Sequence, residues 1–165
     1  MFEKKLWFSE LCEASRNCGV GFHATIAVEK RTQRGIQYKM TENDIATLAL
    51  DICFKIHKQY GPGLFESVYE EIFCHEWAKT GVPFKRQHGV PLIHEDVRME
   101  VGFRADVILN DKVILEIKSI EALADIHFKQ VLTYLKLTNL KLGLIVNFNV
   151  VLLKDGIKRV INGSL

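Results

Sequence analysis

Fifteen consecutive residues, 104–118 (R-A-D-V-I-L-N-D-K-V-I-L-E-I-K), hold the most reactive combination of side chains in this chain. Asp106 and Glu116 bracket the stretch, and Lys118 stands two positions past the second acid. Carboxylates held side by side repel each other unless a cation or a shared proton lies between them. Hard oxygen donors of this kind suit Mg²⁺ or Mn²⁺. A lysine at that offset can reach a phosphate oxygen or a water held by the cation. The plainer alternative is an ion-pair ladder on a half-exposed strand. Short patterns recur by accident, so D-x9-E-x-K needs support from its surroundings.

The surroundings supply a hairpin. Two runs rich in Val, Ile and Leu flank Asn110-Asp111, which reads as two strands and a turn. A loop of Asn110, Asp111 and Lys112 pairs Leu109 with Val113 and Val107 with Leu115, and sets Asp106 opposite Glu116. One face is then apolar: Ala105, Val107, Leu109, Val113, Leu115 and Ile117. The other carries Ile108 and Ile114 near the turn, with Arg104, Asp106, Glu116 and Lys118 at the far end. A two-residue loop would shift the register by one and separate the two acids onto opposite faces. The odd loop, or an equivalent bulge, is the expectation.

At 165 residues the chain is long enough for one proper core. It is 48% hydrophobic and 25% charged, with no 18-residue apolar run, so no membrane span is expected. Its start lacks the uninterrupted apolar core of a signal peptide. Four cysteines (Cys12, Cys18, Cys53, Cys74) form no C-x-x-C pair and read as reduced thiols of a cytoplasmic protein. Residues 1–39 hold seven Lys/Arg against four Glu, which leaves residues 40–165 with 15 positive and 16 negative charges, a net of −1. The first segment is expected to be a poorly ordered extension; its other reading is a basic arm that touches phosphates. The domain is expected over residues 40–165.

From Thr41 the pattern becomes regular. Thr41 and Asp44 form a capping box with Asp in the Glu position, and Ile45, Leu48, Ile52, Ile56 and Tyr60 follow at helical spacing. Gly61-Pro62-Gly63 breaks that helix. A second helix is expected over 64–80, with Leu64, Val68, Ile72 and Phe73 on its stripe. Residues 84–93, interrupted by Gly89 and Pro91, read as an irregular or edge strand. The hairpin occupies 97–109 and 113–120. A third helix is expected over 121–137, buried through Ala124, Phe128, Val131 and Leu135, with His127, Gln130 and Tyr134 on the adjoining face. Residues 142–148 are continuously apolar, as in a strand covered on both sides. Residues 150–153 and 157–161 read as a closing hairpin. The expected order is ααβββαβββ, an α/β (α+β) chain with helices packed on a mixed sheet.

One further motif lies in this pattern. Residues 63–69, G-L-F-E-S-V-Y, fit G-x-x-E-x-x-Y, and the chain resembles the GxxExxY protein family, itself similar to the RecB-like branch of the PD-(D/E)XK nuclease superfamily. The resemblance runs from about Met40 to Ile161. It takes in I-H-K-Q-Y-G-P-G-L-F-E-S-V-Y-E-E, Gln87, R-A-D-V, L-E-I-K, H-F-K-Q-V-L-T-Y-L and G-L-I-V-N-F, in order. It implies a restriction-endonuclease-like mixed sheet flanked by helices. By the same resemblance, Glu66 is the helix-borne acid that reaches toward a metal, Asp106 and Glu116 are the metal-binding carboxylates, and Lys118 is the lysine of the (D/E)-x-K signature. Gln130 and Tyr134 match a Q-x-x-x-Y pair on a helix that helps hold the site or the substrate strand. Taken singly, Glu66 at a helix start favours the helix dipole, and Gln130 with Tyr134 is an ordinary helix-surface pair.

The expected function is a metal-dependent nuclease hydrolysing phosphodiester bonds in DNA or RNA. Mg²⁺ or Mn²⁺ would be held by Asp106, Glu116, Glu66 and the main-chain carbonyl of Ile117. Lys118, Gln130 and Tyr134 would complete the catalytic set. The alternative is a catalytically inactive nucleic-acid- or partner-binding module of the same fold. The net charge of −1 favours it, because non-specific duplex binding rests on basic surfaces. A metal-dependent hydrolase of small nucleotides is a third reading.

Overall fold

The computed structural model describes residues 40–165, apart from the side chains of residues 93, 94, 98 and 100–102. The expectations placed on residues 1–39 lie outside the described residues.

Thr41 fixes the first helix. Its hydroxyl accepts the Asp44 N–H at 3.2 Å, and the Asp44 carboxylate accepts the Thr41 N–H at 2.9 Å, the reciprocal bonding of a capping box. Helix α1 (Glu42–Tyr60) buries Ile45, Ala46, Ala49, Ile52, Cys53 and Ile56. Tyr60, expected on this stripe, is 47% exposed, because the small residues Ala49 and Cys53 pull the contact line round the helix. Helix α2 (Glu66–Ala78) starts later than expected and buries Tyr69, Glu70, Phe73, Cys74 and Trp77. Its buried face is therefore rotated away from the expected stripe, and Val68 is left 38% exposed. Tyr69 explains the late start. Its hydroxyl donates to the Gly61 carbonyl at 2.6 Å and accepts the Leu64 N–H at 3.2 Å, so it holds the loop before α2 as a turn. Its ring stacks on Phe148 at 4.2 Å.

Five strands follow, in sheet order β1-β2-β3-β4-β5. They are β1 (Phe84–His94), β2 (Val97–Leu109), β3 (Val113–Lys118), β4 (Leu142–Asn147) and β5 (Ile157–Ile161). Only β3 and β4 are parallel, and α3 (Asp125–Thr138) makes the crossover that parallel pairing demands. Helices α1 and α2 cover one face through Val107, Leu109, Val113, Leu115 and Ile117. Helix α3 covers the other through Ile108, Ile114 and Ile145. The result is a mixed-sheet α+β fold, consistent with the PD-(D/E)XK nuclease fold. β1 is an edge strand with a register shift between Val90 and Leu92, around Pro91, which has no N–H to give.

Two elements differ from the sequence reading. Helix α3 begins at Asp125 rather than 121, because the chain after β3 is clamped first: Asn147 Oδ1 accepts the Ile120 N–H at 3.1 Å and Asn147 Nδ2 donates to the Ile120 carbonyl at 2.8 Å. The sixth strand over 150–153 does not form. β5, its expected hairpin partner, pairs antiparallel with β4, and no ladder forms between β5 and this segment. It bends into a 3-10 turn, Leu153–Gly156, and leaves Val151 and Leu152 87% and 53% exposed.

Gly156 packs directly beneath this clamp, where a Cβ would collide with the Asn147 carbonyl. The obstacle is main chain and cannot swing aside. Gly156→Ala is expected to destabilise the fold by about 2 kcal/mol, in the range of overpacked cores. Thermal unfolding checks this; an unchanged midpoint would show that β4 and the turn can shift freely.

Candidate active site

The register of the hairpin places the acids. Leu109 pairs with Val113 and Val107 with Leu115, across a loop of Asn110, Asp111 and Lys112. Asn110 and Asp111 both take positive φ, 50° and 51°, which Asn and Asp tolerate better than most residues, and Lys112 N–H closes the turn on Leu109 O at 3.0 Å. Along β3, Leu115 and Ile117 lie under α1 and α2, so Glu116 and Lys118 follow Ile114 toward α3.

The main-chain ladder between β2 and β3 stops after Val107–Leu115, and the Asp106 side chain continues it. Asp106 Oδ2 accepts the Ile117 N–H at 2.9 Å. Lys118 Nζ donates to Glu116 Oε1 at 2.8 Å, with Lys118 and Glu116 side chains 15% and 3% exposed. Alternation also breaks here: Ala105, expected beside Val107, packs with Ile108 and Ile114 on the α3 side. Gln87, on the β1 segment facing this point, has φ of 47°, a local distortion of the partner strand. Arg104, expected at the acidic end, is exposed.

Charge in this corner is unbalanced. Burial, and then the charge of Glu116, push Asp106 up to about 6, against the opposing pull of the Ile117 N–H and Lys118. Burial also raises Glu116, despite its bond to Lys118. Burial works to lower Lys118, but the Glu116 hydrogen bond with the charges of Glu116, Asp106 and Glu66 outweighs it, and the ammonium stays protonated. Glu116 Oε2 is buried with no hydrogen-bond partner.

Glu66 enters from the first turn of α2. Its Oε1 accepts the Ser119 N–H at 2.9 Å, and Ser119 Oγ donates to the Leu64 carbonyl at 2.7 Å. The start of α2 is thereby pinned to the residue following Lys118. From α3, Gln130 Nε2 donates to the Tyr134 hydroxyl. Tyr134 is buried and stacked on Phe103 at 4.6 Å rather than displayed on the helix surface. Burial raises its pKa, with the Gln130 bond opposing and the charges of Glu116, Lys118 and Asp106 all within reach. Ile117 contributes its N–H to Asp106, and its side chain is buried on the opposite face.

Asp106, bonded to the Ile117 N–H, thus lies beside the Glu116–Lys118 pair, with Glu66 joined through Ser119 and Tyr134 alongside. Among the described residues, no three His, Cys, Asp or Glu side chains are already drawn together as a cation cage. A family model described as the PD-(D/E)XK nuclease superfamily matches residues 43–160, a span that contains this corner. The chain belongs to that superfamily. No curated protein and no solved structure matches it. PD-(D/E)XK nucleases generally use divalent metals, usually Mg²⁺, and act on nucleic acid. No helix among the described residues is long and apolar enough to cross a membrane.

Sequence reading missed the polar support behind the acids. Glu70, only 6% exposed, accepts hydrogen bonds from Arg86 Nε and Gln87 Nε2, and Arg86 also pairs with Glu71. This network ties α2 to β1 beside Asp106. The available signal was spacing: Glu70 follows Glu66 by one helical turn on the same face as the site.

Proposed function

We propose that this protein is a metal-dependent nuclease hydrolysing phosphodiester bonds in DNA or RNA, and a member of the GxxExxY family and the RecB-like branch, which its sequence resembles. The observation that carries the reading is the unbalanced pair: a buried Glu116 oxygen without a partner, beside an Asp106 pushed up to about 6. Structural ion pairs are arranged to satisfy their charges; this pair is left short of one cation. Asp106 and Glu116 would hold Mg²⁺ or Mn²⁺, with the Ile117 carbonyl and Glu66 as further oxygen donors. A divalent cation, when bound, supplies Lewis acidity at the phosphate and neutralises its charge. Lys118 Nζ donates to the phosphate oxygen on which charge builds in the transition state. Tyr134 Oη and Gln130 Nε2 orient the phosphate from the α3 side.

The test pairs calorimetric titration of Mg²⁺ and Mn²⁺ with cleavage of labelled single-stranded and duplex DNA and RNA. Binding and metal-dependent cleavage, both lost in Glu116→Gln, are the expected result. The net charge of −1 over residues 40–165 favours a second reading, an inactive binding module. That module wins if the protein binds oligonucleotides but cuts none with any divalent metal.

A further inference from the structure

Beside the acidic corner lies an open cleft of about 660 Å³, lined by Gly63, Leu64, Phe65, Glu66, Ser67, Ser119 and Asn149. Phe65 is its unusual member. At 82% exposed, its ring buries almost nothing. It also occupies the N-cap of α2 with no side-chain cap hydrogen bond, a position where Ser, Thr, Asp or Asn would satisfy a free helix N–H. Phe65 therefore serves neither the core nor the helix. A large aromatic ring left in water at a cost on both counts is a binding surface in waiting.

Position and charge identify the occupant. Phe65 directly precedes Glu66, whose carboxylate holds the Ser119 N–H, and Ser119 directly follows Lys118. A polynucleotide whose phosphate sits at Lys118 has its neighbouring nucleotide within reach of this cleft. The lining carries a single charge, the negative one of Glu66, so the cleft repels a phosphate and suits a neutral group. It offers one aromatic face, with the exposed polar side chains of Ser67 and Asn149 at its edge. That is the chemistry of a nucleobase: a flat apolar face with hydrogen-bonding edges. In a duplex both faces of an internal base are already stacked, so only an unpaired base can use the ring.

We infer that Phe65 is a stacking platform for an unpaired base next to the scissile phosphate, which makes single-stranded or frayed nucleic acid the preferred substrate class. The inference rests on the nuclease reading above and adds the strand state of the substrate. It also fits a domain without net positive charge, since stacking contributes affinity that does not depend on a basic surface.

The test uses full-length protein and short oligonucleotides with phosphorothioate linkages to slow cleavage. Each carries 2-aminopurine, whose fluorescence is quenched by stacking, at one position. Wild type is expected to quench the probe at one or two adjacent positions. Phe65→Ser should relieve that quench and weaken single-strand binding about tenfold, the loss of one base–aromatic stack. Phe65→Trp should restore both. The melting temperature of Phe65→Ser should equal or exceed wild type, because serine caps α2; this separates lost binding from lost folding. Equal single-strand affinity and quench in wild type and Phe65→Ser overturn the inference and leave the nuclease reading standing. The same loss on blunt duplex as on single strand overturns the strand preference. No oligonucleotide binding by wild type overturns the inference and the nuclease reading together.

Discussion

Lys118→Met is expected to lower cleavage by on the order of 10²–10³, the loss seen when one preorganised transition-state donor is removed, while divalent-metal binding persists. Methionine preserves the length of the side chain and much of its packing, so the strand end stays in place. What disappears is the ammonium at 2.8 Å from Glu116 Oε1. Both carboxylates remain, and the one cation that competed for them is gone, so Mg²⁺ affinity should hold or rise. The metal-free variant should be less stable than wild type, because Glu116 would then have no partner at either oxygen. Adding Mg²⁺ should recover most of that loss. Calorimetry, thermal unfolding with and without metal, and cleavage rates together check the argument. A variant that cuts as fast as wild type would mean that Lys118 belongs to an ion pair and not to the reaction.

The sequence disclosed the hairpin because its signals are local. Two apolar runs around Asn-Asp mark the hairpin within a few residues, and the three-residue loop chosen over a two-residue one gives the observed Leu109–Val113 and Val107–Leu115 pairs. The capping box at Thr41 was legible for the same reason. What escaped depends on packing between distant segments. Tyr69 delays α2 by bonding to Gly61 and Leu64, and Asn147 delays α3 by clamping Ile120, interactions that no window of neighbouring residues contains. Residues 150–153 look like a strand by composition, yet 157–161, their expected hairpin partner, pairs with β4 instead. Alternation placed Ala105 beside Val107, and it failed where the Asp106 side chain replaces the ladder. The candidate site was the point at which regular geometry broke.

Asp106→Asn should stabilise the metal-free protein at pH 8, an unusual outcome for a substitution in a buried corner. Asparagine can still accept the Ile117 N–H through its Oδ1, so the bond that replaces the ladder survives. The charge goes, and with it the repulsion from Glu116. The folded-state pKa of Asp106 lies near 6, above its unfolded value near 4, because burial and Glu116 disfavour the anion. The native state therefore binds the proton more tightly than the unfolded chain. Stability from this group is fully present below about pH 4 and is lost as pH rises toward 6, remaining lost above it. Glu116 is displaced in the same direction and adds to the trend. The cost at pH 8 is on the order of 3 kcal/mol, and Asp106→Asn should recover about that much. The gain should shrink as pH is lowered to 5. Between pH 5 and 8 the other strongly shifted carboxylate, Glu76, does not interfere, since the hydrogen bonds from Lys55 and Lys79 hold it at about 2. Mg²⁺ should reverse the ranking: it binds the wild-type pair and stabilises it, whereas the variant has one oxygen anion fewer to offer. Cleavage should fall with metal affinity and partly recover at high Mn²⁺. The decisive measurement is the difference in unfolding free energy between variant and wild type across pH 5 to 8 without metal. If Asp106→Asn is the less stable protein at pH 8, the acids are not in conflict, and the case for a cation between them fails.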